Sequence, residues 1–235
     1  EEKVASVKSD IRVAHELGCT VIRVISMTEP DVLAAAAEFA EQNNVRLGVE
    51  IHSPMHFDHA YIQSLIATYE KVKSPYLGFV PDMGIFVRRF PRVIWERWVR
   101  DGMRPEIARV IVNAYDTHTG VAEIPETVKA MGGSAQEIGA SHTIQHFVDA
   151  NPQRILDYSQ YIFHIHAKFY EMLPDYREYS IPYEEVVPIF EQAGFNGYIS
   201  SEYEGNRHIQ DAFEVDSREQ VRRQHEMFKK LLHEA

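Results

Sequence analysis

The chain has 235 residues, of which 45% are hydrophobic and 25% charged, the ordinary balance of a globular protein. Its formal net charge of −11 argues against a nucleic-acid-binding protein, which needs a basic surface to displace counterions from phosphates. The single cysteine, Cys19, excludes an internal disulfide framework and a CxxC zinc site, and it favours a cytoplasmic location. No apolar run approaches the length of a membrane span, so we expect no membrane partner.

Helical and strand-like patterns alternate along most of the chain. Helices are predicted where apolar residues recur at helical spacing, and strands where short β-branched runs stand between turn residues. The alternation breaks between residues 86 and 150, where helical patterns replace the expected single helix. The predicted elements are helix 4–17, strand 21–26, helix 30–42, strand 45–51, helix 57–71, strand 76–81, helices 91–100, 104–117, 123–131 and 152–157, strand 161–170, helix 182–193, strand 197–204 and helix 216–233.

Strands that alternate with helices predict an α/β fold with a parallel sheet. The strands are apolar on both faces, as buried parallel strands are. No GxGxxG or GxxxxGK[ST] motif follows a strand, which argues against dinucleotide-binding and P-loop folds. A GxSxG motif is also absent from the sequence, so a serine hydrolase of the α/β class is not expected.

Four successive strands each place one good metal ligand at or near the carboxyl end: Glu50, Asp82, His166 and Glu202. In a parallel αβ barrel these ends converge on one face, where the active site is built. Three carboxylates and one imidazole suit a divalent cation that prefers oxygen but accepts nitrogen. Mn²⁺ fits this set best, Mg²⁺, Co²⁺ and Fe²⁺ remain possible, and Zn²⁺ fits less well.

Two alternatives accompany this interpretation. A single carboxylate at a strand end commonly caps the next helix, although capping does not explain ligands on four consecutive strands. His164 and His166 alternate along one strand and share a face, so either of them can be the ligand.

The segments LGVEIH, VPDM, HIHAKF and ISSEYEG resemble the metal site of the xylose-isomerase-like barrel superfamily of sugar isomerases and epimerases. The resemblance implies a (β/α)8 TIM barrel over residues 1–235, outside the 86–150 insertion, with Glu50, Asp82, His166 and Glu202 as ligands. It also implies that Lys168 contacts a substrate oxygen. Many members continue with Asp-x-x-His at the second site, whereas Met83, Gly84 and Ile85 follow Asp82 here.

A closer resemblance is to the catalytic α subunit of bacterial C-glycoside deglycosidases. It lies in EIHSPMHF, HIHAKFYEM, SSEYEGNR and the tail EQVRRQHEMFKKLL. That family acts on 3-oxo C-glycosides, works with a small β subunit and uses a divalent metal, typically manganese. The resemblance therefore implies a carbon–carbon lyase that releases an aromatic aglycone, such as a flavonoid, from the sugar.

The residue types suit this chemistry, because a ketone at C3 of the sugar makes the proton on C2 acidic. A base can remove that proton, and the aryl group leaves C1 as its carbon is protonated. The candidates for this proton transfer are His52 and His56, with His52 on the ligand face if the strand persists beyond Glu50. The alternative for His56 is a solvated loop residue. Weaker candidates that line the substrate pocket are His142, Tyr170, Glu204 and Arg207.

Competing functions remain at this point. A sugar or polyol isomerase, epimerase or dehydratase uses the same metal site, and a non-catalytic interaction subunit can keep the fold. A metal-dependent endonuclease of the superfamily is disfavoured by the charge and by the small number of histidines at the strand ends.

Two expectations concern the whole barrel. Residues 86–150 follow a strand that ends at the metal ligands, so we expect a helical lid over that face which shapes a pocket for a bulky aromatic substrate.

We count five strands where a barrel of this type has eight, and the chain starts inside a helix with Glu1. We therefore expect three further βα units, roughly 90 residues, to precede these strands.

Overall fold

A computed structural model describes residues 1–233 of the chain. Helices and strands alternate as the sequence predicts, and most boundaries agree within three residues. The elements are α1 (Glu2–Glu16), β1 (Val21–Val24), α2 (Pro30–Gln42), β2 (Arg46–Ile51), α3 (Ala60–Val72), β3 (Leu77–Pro81), α4 (Arg92–Arg100), α5 (Pro105–Asp116), α6 (Ile124–Ala130), α7 (Ala135–Thr143), α8 (Arg154–Tyr158), β4 (His164–Phe169), α9 (Tyr183–Gln192), β5 (Tyr198–Tyr203), α10 (Asn206–Ile209) and α11 (Ser217–His233).

Three expectations about elements were wrong. The strand expected over 161–170 begins at His164, because Ser159–Tyr161 form a 3-10 turn. The helix expected from residue 57 begins at Ala60, where the ring of His59 accepts a hydrogen bond from the Tyr61 amide as the N-cap. The helices α7 and α10 were not among the predicted elements.

The chain forms two compact units, each assembled from separate segments. The first consists of Glu1–Asp82, Gln153–His166 and Ile189–Ser200. The second consists of Met83–Pro152, Ala167–Pro188 and Ser201–Ala235. The helical insertion therefore belongs entirely to the second unit, while β1, β2 and β3 belong to the first.

The first unit is built on a parallel sheet in the order β1-β2-β3. The register places Arg23 beside Gly48, and Glu50 beside Val80. Beyond β3, parallel bridges join Phe79 to Ile162 and Asp82 to His166. The apolar residues of β2 and β3 are buried, as the continuous apolar runs indicated. This pairing brings the carboxyl ends of β2, β3 and the start of β4 side by side.

The second unit has an aromatic core in the insertion. The ring of Phe90 lies 5.2 Å from Trp98, 5.7 Å from Tyr115 and 5.0 Å from Phe147, measured between ring centres. Glu137 joins two helices of the insertion, because it accepts hydrogen bonds from the backbone of Ser134 at the start of α7 and from the backbone and side chain of Arg104 at the start of α5. The predicted helical character of residues 86–150 is confirmed, and their role as a lid stays a prediction.

The strands β4 and β5 form a two-stranded sheet. In β4 polar residues alternate with apolar ones, so His164, His166 and Lys168 share one face of the strand. None of the helices within residues 1–233 is long and apolar enough to cross a bilayer.

Candidate active site

Glu50 lies near the end of β2 and is 6% exposed. Its Oε1 is 3.0 Å from Nδ1 of His166, and its Oε2 accepts a hydrogen bond of 2.7 Å from Nη1 of Arg23. Burial alone raises the pKa of this carboxyl, but the hydrogen bond from His166 and the charge of Arg23 outweigh it and lower the pKa to about 2. Glu50 is therefore an ionised, buried carboxylate with both oxygens engaged.

Asp82 follows β3 directly and is fully buried. Its amide donates to the carbonyl of Ile51, which continues the pairing of β2 and β3 by one residue. The bridge between Asp82 and His166 aligns the end of β3 with β4. The sheet register thus brings Asp82 to the same edge as Glu50 and His166. Glu50 and Asp82 lie at the ends of their strands as expected, whereas His166 is the third residue of β4 and not near its carboxyl end.

His52 lies one residue beyond β2, with its Nε2 3.8 Å from Oδ2 of Asp82. Its Nδ1 is 2.6 Å from the carbonyl oxygen of Ser53. A carbonyl oxygen only accepts, so Nδ1 carries a proton in this contact. The structure thus places His52 beside Asp82, and its role in proton transfer stays a prediction.

The two histidines of β4 make different contacts. Their rings lie 5.8 Å apart, on the shared face that the alternation predicted. His164 Nε2 is 2.8 Å from Oγ of Ser200, whereas His166 faces Glu50. Burial lowers the pKa of His164, and the neighbouring charge of His166 lowers it further. Of the two alternatives left open by the sequence, His166 is therefore the one placed with a carboxylate.

In the second unit, Lys168 and Glu202 form a pair. Lys168 is 5% exposed, and its Nζ lies 3.5 Å from Oε1 of Glu202. The backbone beneath Lys168 is held in place, because the hydroxyl of Tyr183 donates to its carbonyl at 2.7 Å and Gln224 donates to the carbonyl of Ala167 at 3.0 Å. Lys168 is therefore a buried lysine beside a carboxylate, and its contact with a substrate oxygen stays a prediction.

The other candidate residues have more ordinary contacts. Nδ1 of His56 accepts from the amide of Asp58 at 3.3 Å, which makes it part of the turn before α3. Tyr170 is buried, with its ring 6.1 Å from Phe147. Glu204 pairs with Arg207 at 2.5 Å. His142 lies exposed on the last turn of α7. The substrate-binding role of these residues stays a prediction.

Arg23 is the residue that reasoning from sequence missed. It is the one charged residue in the strand VIRV, which is the signal that could have identified it. The Glu50 carboxylate is buried and needs a partner of opposite charge, and Arg23 supplies it.

The donor set of this face fits a divalent cation. Glu50 and His166 present an oxygen and a nitrogen 3.0 Å apart, and each can contribute one ligand atom to a metal ion. Asp82 adds a second buried carboxylate at the same sheet edge. Carboxylate and imidazole ligands together suit a divalent cation that prefers oxygen but accepts nitrogen.

Curated proteins similar to this chain are subunits of deglycosidases. A 3'-dehydrocarminate deglycosidase alpha subunit from Microbacterium sp is 29% identical over 83% of this chain and 60% of its own length. A C-glycoside deglycosidase alpha subunit from Microbacterium trichothecenolyticum is 30% identical over 94% of this chain and 64% of its own length. The chain thus spans less than two thirds of the length of these relatives.

Solved structures and a family model agree on the fold. The structure of the IOLI protein with a bound zinc atom superposes with a TM-score of 0.51 at 12% identity, covering 98% of this chain and 69% of that one. The family model described as xylose isomerase-like TIM barrel matches residues 1–231. The match covers nearly the whole chain, and the parallel pairing of β1, β2 and β3 agrees with it, so the chain belongs to the xylose isomerase-like TIM barrel family.

Proposed function

We propose that this protein is the catalytic subunit of a metal-dependent C-glycoside deglycosidase. The substrate is a 3-oxo C-glycoside with an aromatic aglycone, and the reaction breaks the carbon–carbon bond between sugar and aglycone. The observation that carries the proposal is the contact of Glu50 with His166, at the sheet edge where His52 faces Asp82. The names of the relatives support the substrate class.

We propose Glu50, Asp82, His166 and Glu202 as the metal ligands. The first three lie at one sheet edge, and Glu202 is the last residue but one of β5, in the position that the sequence pattern assigns to the fourth ligand. A cation held there, most simply Mn²⁺, would act as a Lewis acid that stabilises negative charge on the sugar oxygens when C2 loses its proton. Lys168, held by Tyr183 beneath it, donates a hydrogen bond to a substrate oxygen.

His52 acts as the base in this proposal. Its Nε2 lone pair takes the proton from C2, and the electrons of that bond form the double bond between C1 and C2. The bond from C1 to the aryl carbon breaks, and the aryl carbon takes a proton from His56. The products are the free aromatic aglycone and an unsaturated 3-oxo sugar, so no water or oxidant is consumed.

The relatives are named alpha subunits, which supports a second, small β subunit as the partner of this chain. We propose that residues 86–150 contribute to the aglycone pocket, together with Tyr170, Glu204, Arg207 and His142.

The test is an assay of aglycone release from a 3-oxo C-glycoside, followed by chromatography with mass detection. We expect Mn²⁺-dependent release that stops with EDTA and falls by about 100-fold or more in His52→Ala, the usual contribution of a general base. An unmodified ketose serves as the second substrate. Turnover of the ketose without aglycone release would instead support the isomerase or epimerase, and activity unchanged by Glu202→Gln would contradict the proposed ligand set.

A further inference from the structure

The arginine in β1 and the glutamate in β2 are brought together by the register of the sheet. Arg23 lies beside Gly48, and side chains of paired residues in a parallel sheet share a face. Gly48 and Glu50 are two residues apart, so they share that face as well. Arg23 therefore lies level with Gly48, two residues before Glu50, on the same face of the sheet. Its side chain is long enough to reach the Glu50 carboxylate.

The two oxygens of the Glu50 carboxylate have different partners. Oε2 accepts from Nη1 of Arg23 at 2.7 Å, while Oε1 faces Nδ1 of His166 at 3.0 Å. The Glu50 side chain is 8% exposed and that of Arg23 is 50% exposed. Arg23 is therefore in contact with solvent and with the buried carboxylate at the same time. One oxygen is thereby occupied by a cation of the protein, and the other is directed to the proposed metal ligands.

We propose that Arg23 is a positioning residue that makes Glu50 a ligand through one oxygen only. This inference rests on the proposed metal site. A carboxylate that binds through one oxygen leaves one more coordination position open than a bidentate carboxylate does, and the proposed reaction needs two positions for the substrate oxygens. Partners that orient a metal ligand in this way typically change metal affinity 10–100-fold when removed.

The experiment measures Mn²⁺ binding by calorimetry and the electron paramagnetic resonance spectrum of bound Mn²⁺, without substrate. We expect Arg23→Met to weaken Mn²⁺ binding by about 10–100-fold, because Glu50 loses the partner that fixes its orientation. We also expect the zero-field splitting to change, because Oε2 of Glu50 is then no longer held away from the metal. Arg23 uses one nitrogen in the contact, so Arg23→Lys should recover at least part of the affinity. Arg109→Met, which removes an exposed arginine from α5, is the matched control and should leave both readouts unchanged.

Circular dichroism establishes that each variant is folded, and Arg23→Gln replaces Arg23→Met if the latter is not. Affinity and spectrum equal to those of the unmodified protein in the folded variant would overturn the role of Arg23 and leave the metal site standing. Binding by Arg23→Lys no tighter than by Arg23→Met would also overturn it. If the unmodified protein does not bind Mn²⁺, the proposed metal site is wrong, and the role of Arg23 that rests on it is wrong as well.

Discussion

Glu50 is the residue on which the candidate site depends most. It contacts Arg23 on one side and His166 on the other, and these contacts lower its pKa to about 2, so it is ionised throughout the neutral range. A neutral amide of the same shape keeps the packing but removes the charge that a cation and the arginine both need.

We expect Glu50→Gln to weaken Mn²⁺ binding by more than about 100-fold, since losing a ligand costs more than losing a partner that merely orients one. Calorimetry with Mn²⁺ measures this. Glu126→Gln, which neutralises an exposed carboxylate on α6, is the control and should bind as the unmodified protein does. Equal affinity in Glu50→Gln and the control would show that Glu50 is not a ligand.

A second buried carboxylate, Glu178, organises the loop between β4 and α9. It accepts backbone hydrogen bonds from Tyr170 and Glu171 through one oxygen and from Ser180 and Ile181 through the other. Complete burial raises its pKa to about 7, although the four amide donors act in the opposite direction. The folded protein therefore binds a proton at Glu178 at pH values where the unfolded chain has released it.

The sign of the resulting pH dependence follows from linkage. Between the unfolded pKa of about 4.5 and the folded value of about 7, the folded state holds more protons, so the free energy of unfolding falls as pH rises. We expect a decrease of up to about 3 kcal/mol over this window, at 1.36 kcal/mol for each pKa unit. Urea denaturation at several pH values measures it. The decrease should be absent in Glu178→Gln, and an unchanged slope in that variant would contradict the assignment to Glu178.

At the scale of elements, α7 begins with a capping box. The hydroxyl of Ser134 accepts from the amide of Glu137, and the Glu137 side chain accepts from the amide of Ser134. The same carboxylate accepts hydrogen bonds from the backbone and the guanidinium of Arg104 at the start of α5. The hydrogen bond from the Arg104 side chain is the largest reason why the pKa of Glu137 falls to about 2. One side chain thus satisfies donors at the beginning of two helices.

We expect Glu137→Gln to lower the free energy of unfolding by about 2 kcal/mol, because it breaks charged hydrogen bonds of a buried carboxylate and leaves their donors short of an acceptor. Urea denaturation at neutral pH measures the change, with Glu126→Gln as the control that should differ by less than about 0.5 kcal/mol. A variant as stable as the control would contradict the role of Glu137 in joining α5 and α7.

The sequence motif Ser134-x-x-Glu137 is also why α7 could have been predicted. The motif is visible in the sequence, where a serine followed three residues later by a glutamate is typical of a helix start. The other helices of the insertion, and the strands of the first unit, were predicted because their apolar residues recur at a regular period. Boundaries were less certain, since capping contacts such as that of His59 decide them and leave only a weak mark in the sequence.

At the scale of the whole molecule, β1 differs from its neighbour in the number of strands it pairs with. Within residues 1–233, β1 pairs with β2 alone, whereas β2 lies between β1 and β3. Ile25 and Met27, which follow β1, are 69% and 63% exposed. The strands expected to precede β1 in a complete barrel stay a prediction.

We expect the outward-facing amides of β1 to exchange with deuterium at least about tenfold faster than those of β2 in this chain, because an edge strand opens without breaking a second ladder. Hydrogen exchange read by mass spectrometry of peptides covering residues 21–24 and 46–51 measures the ratio. Protection of β1 as strong as that of β2 would mean that its outer edge is covered in solution.

The amino-acid sequence by itself determined the alternation of strands and helices, and it placed a candidate ligand at the end of four strands. Both follow from local properties, namely the period of apolar residues and the rule that carboxyl ends of parallel strands lie together. Only the tertiary structure decided which side chains meet. Glu50 and His166 are 116 residues apart, and Arg23 reaches Glu50 through the register of two strands joined by a helix. The tertiary structure also decided that His166, and not His164, lies against the Glu50 carboxylate. The sequence of one strand cannot decide this, because strand register depends on packing across the whole sheet.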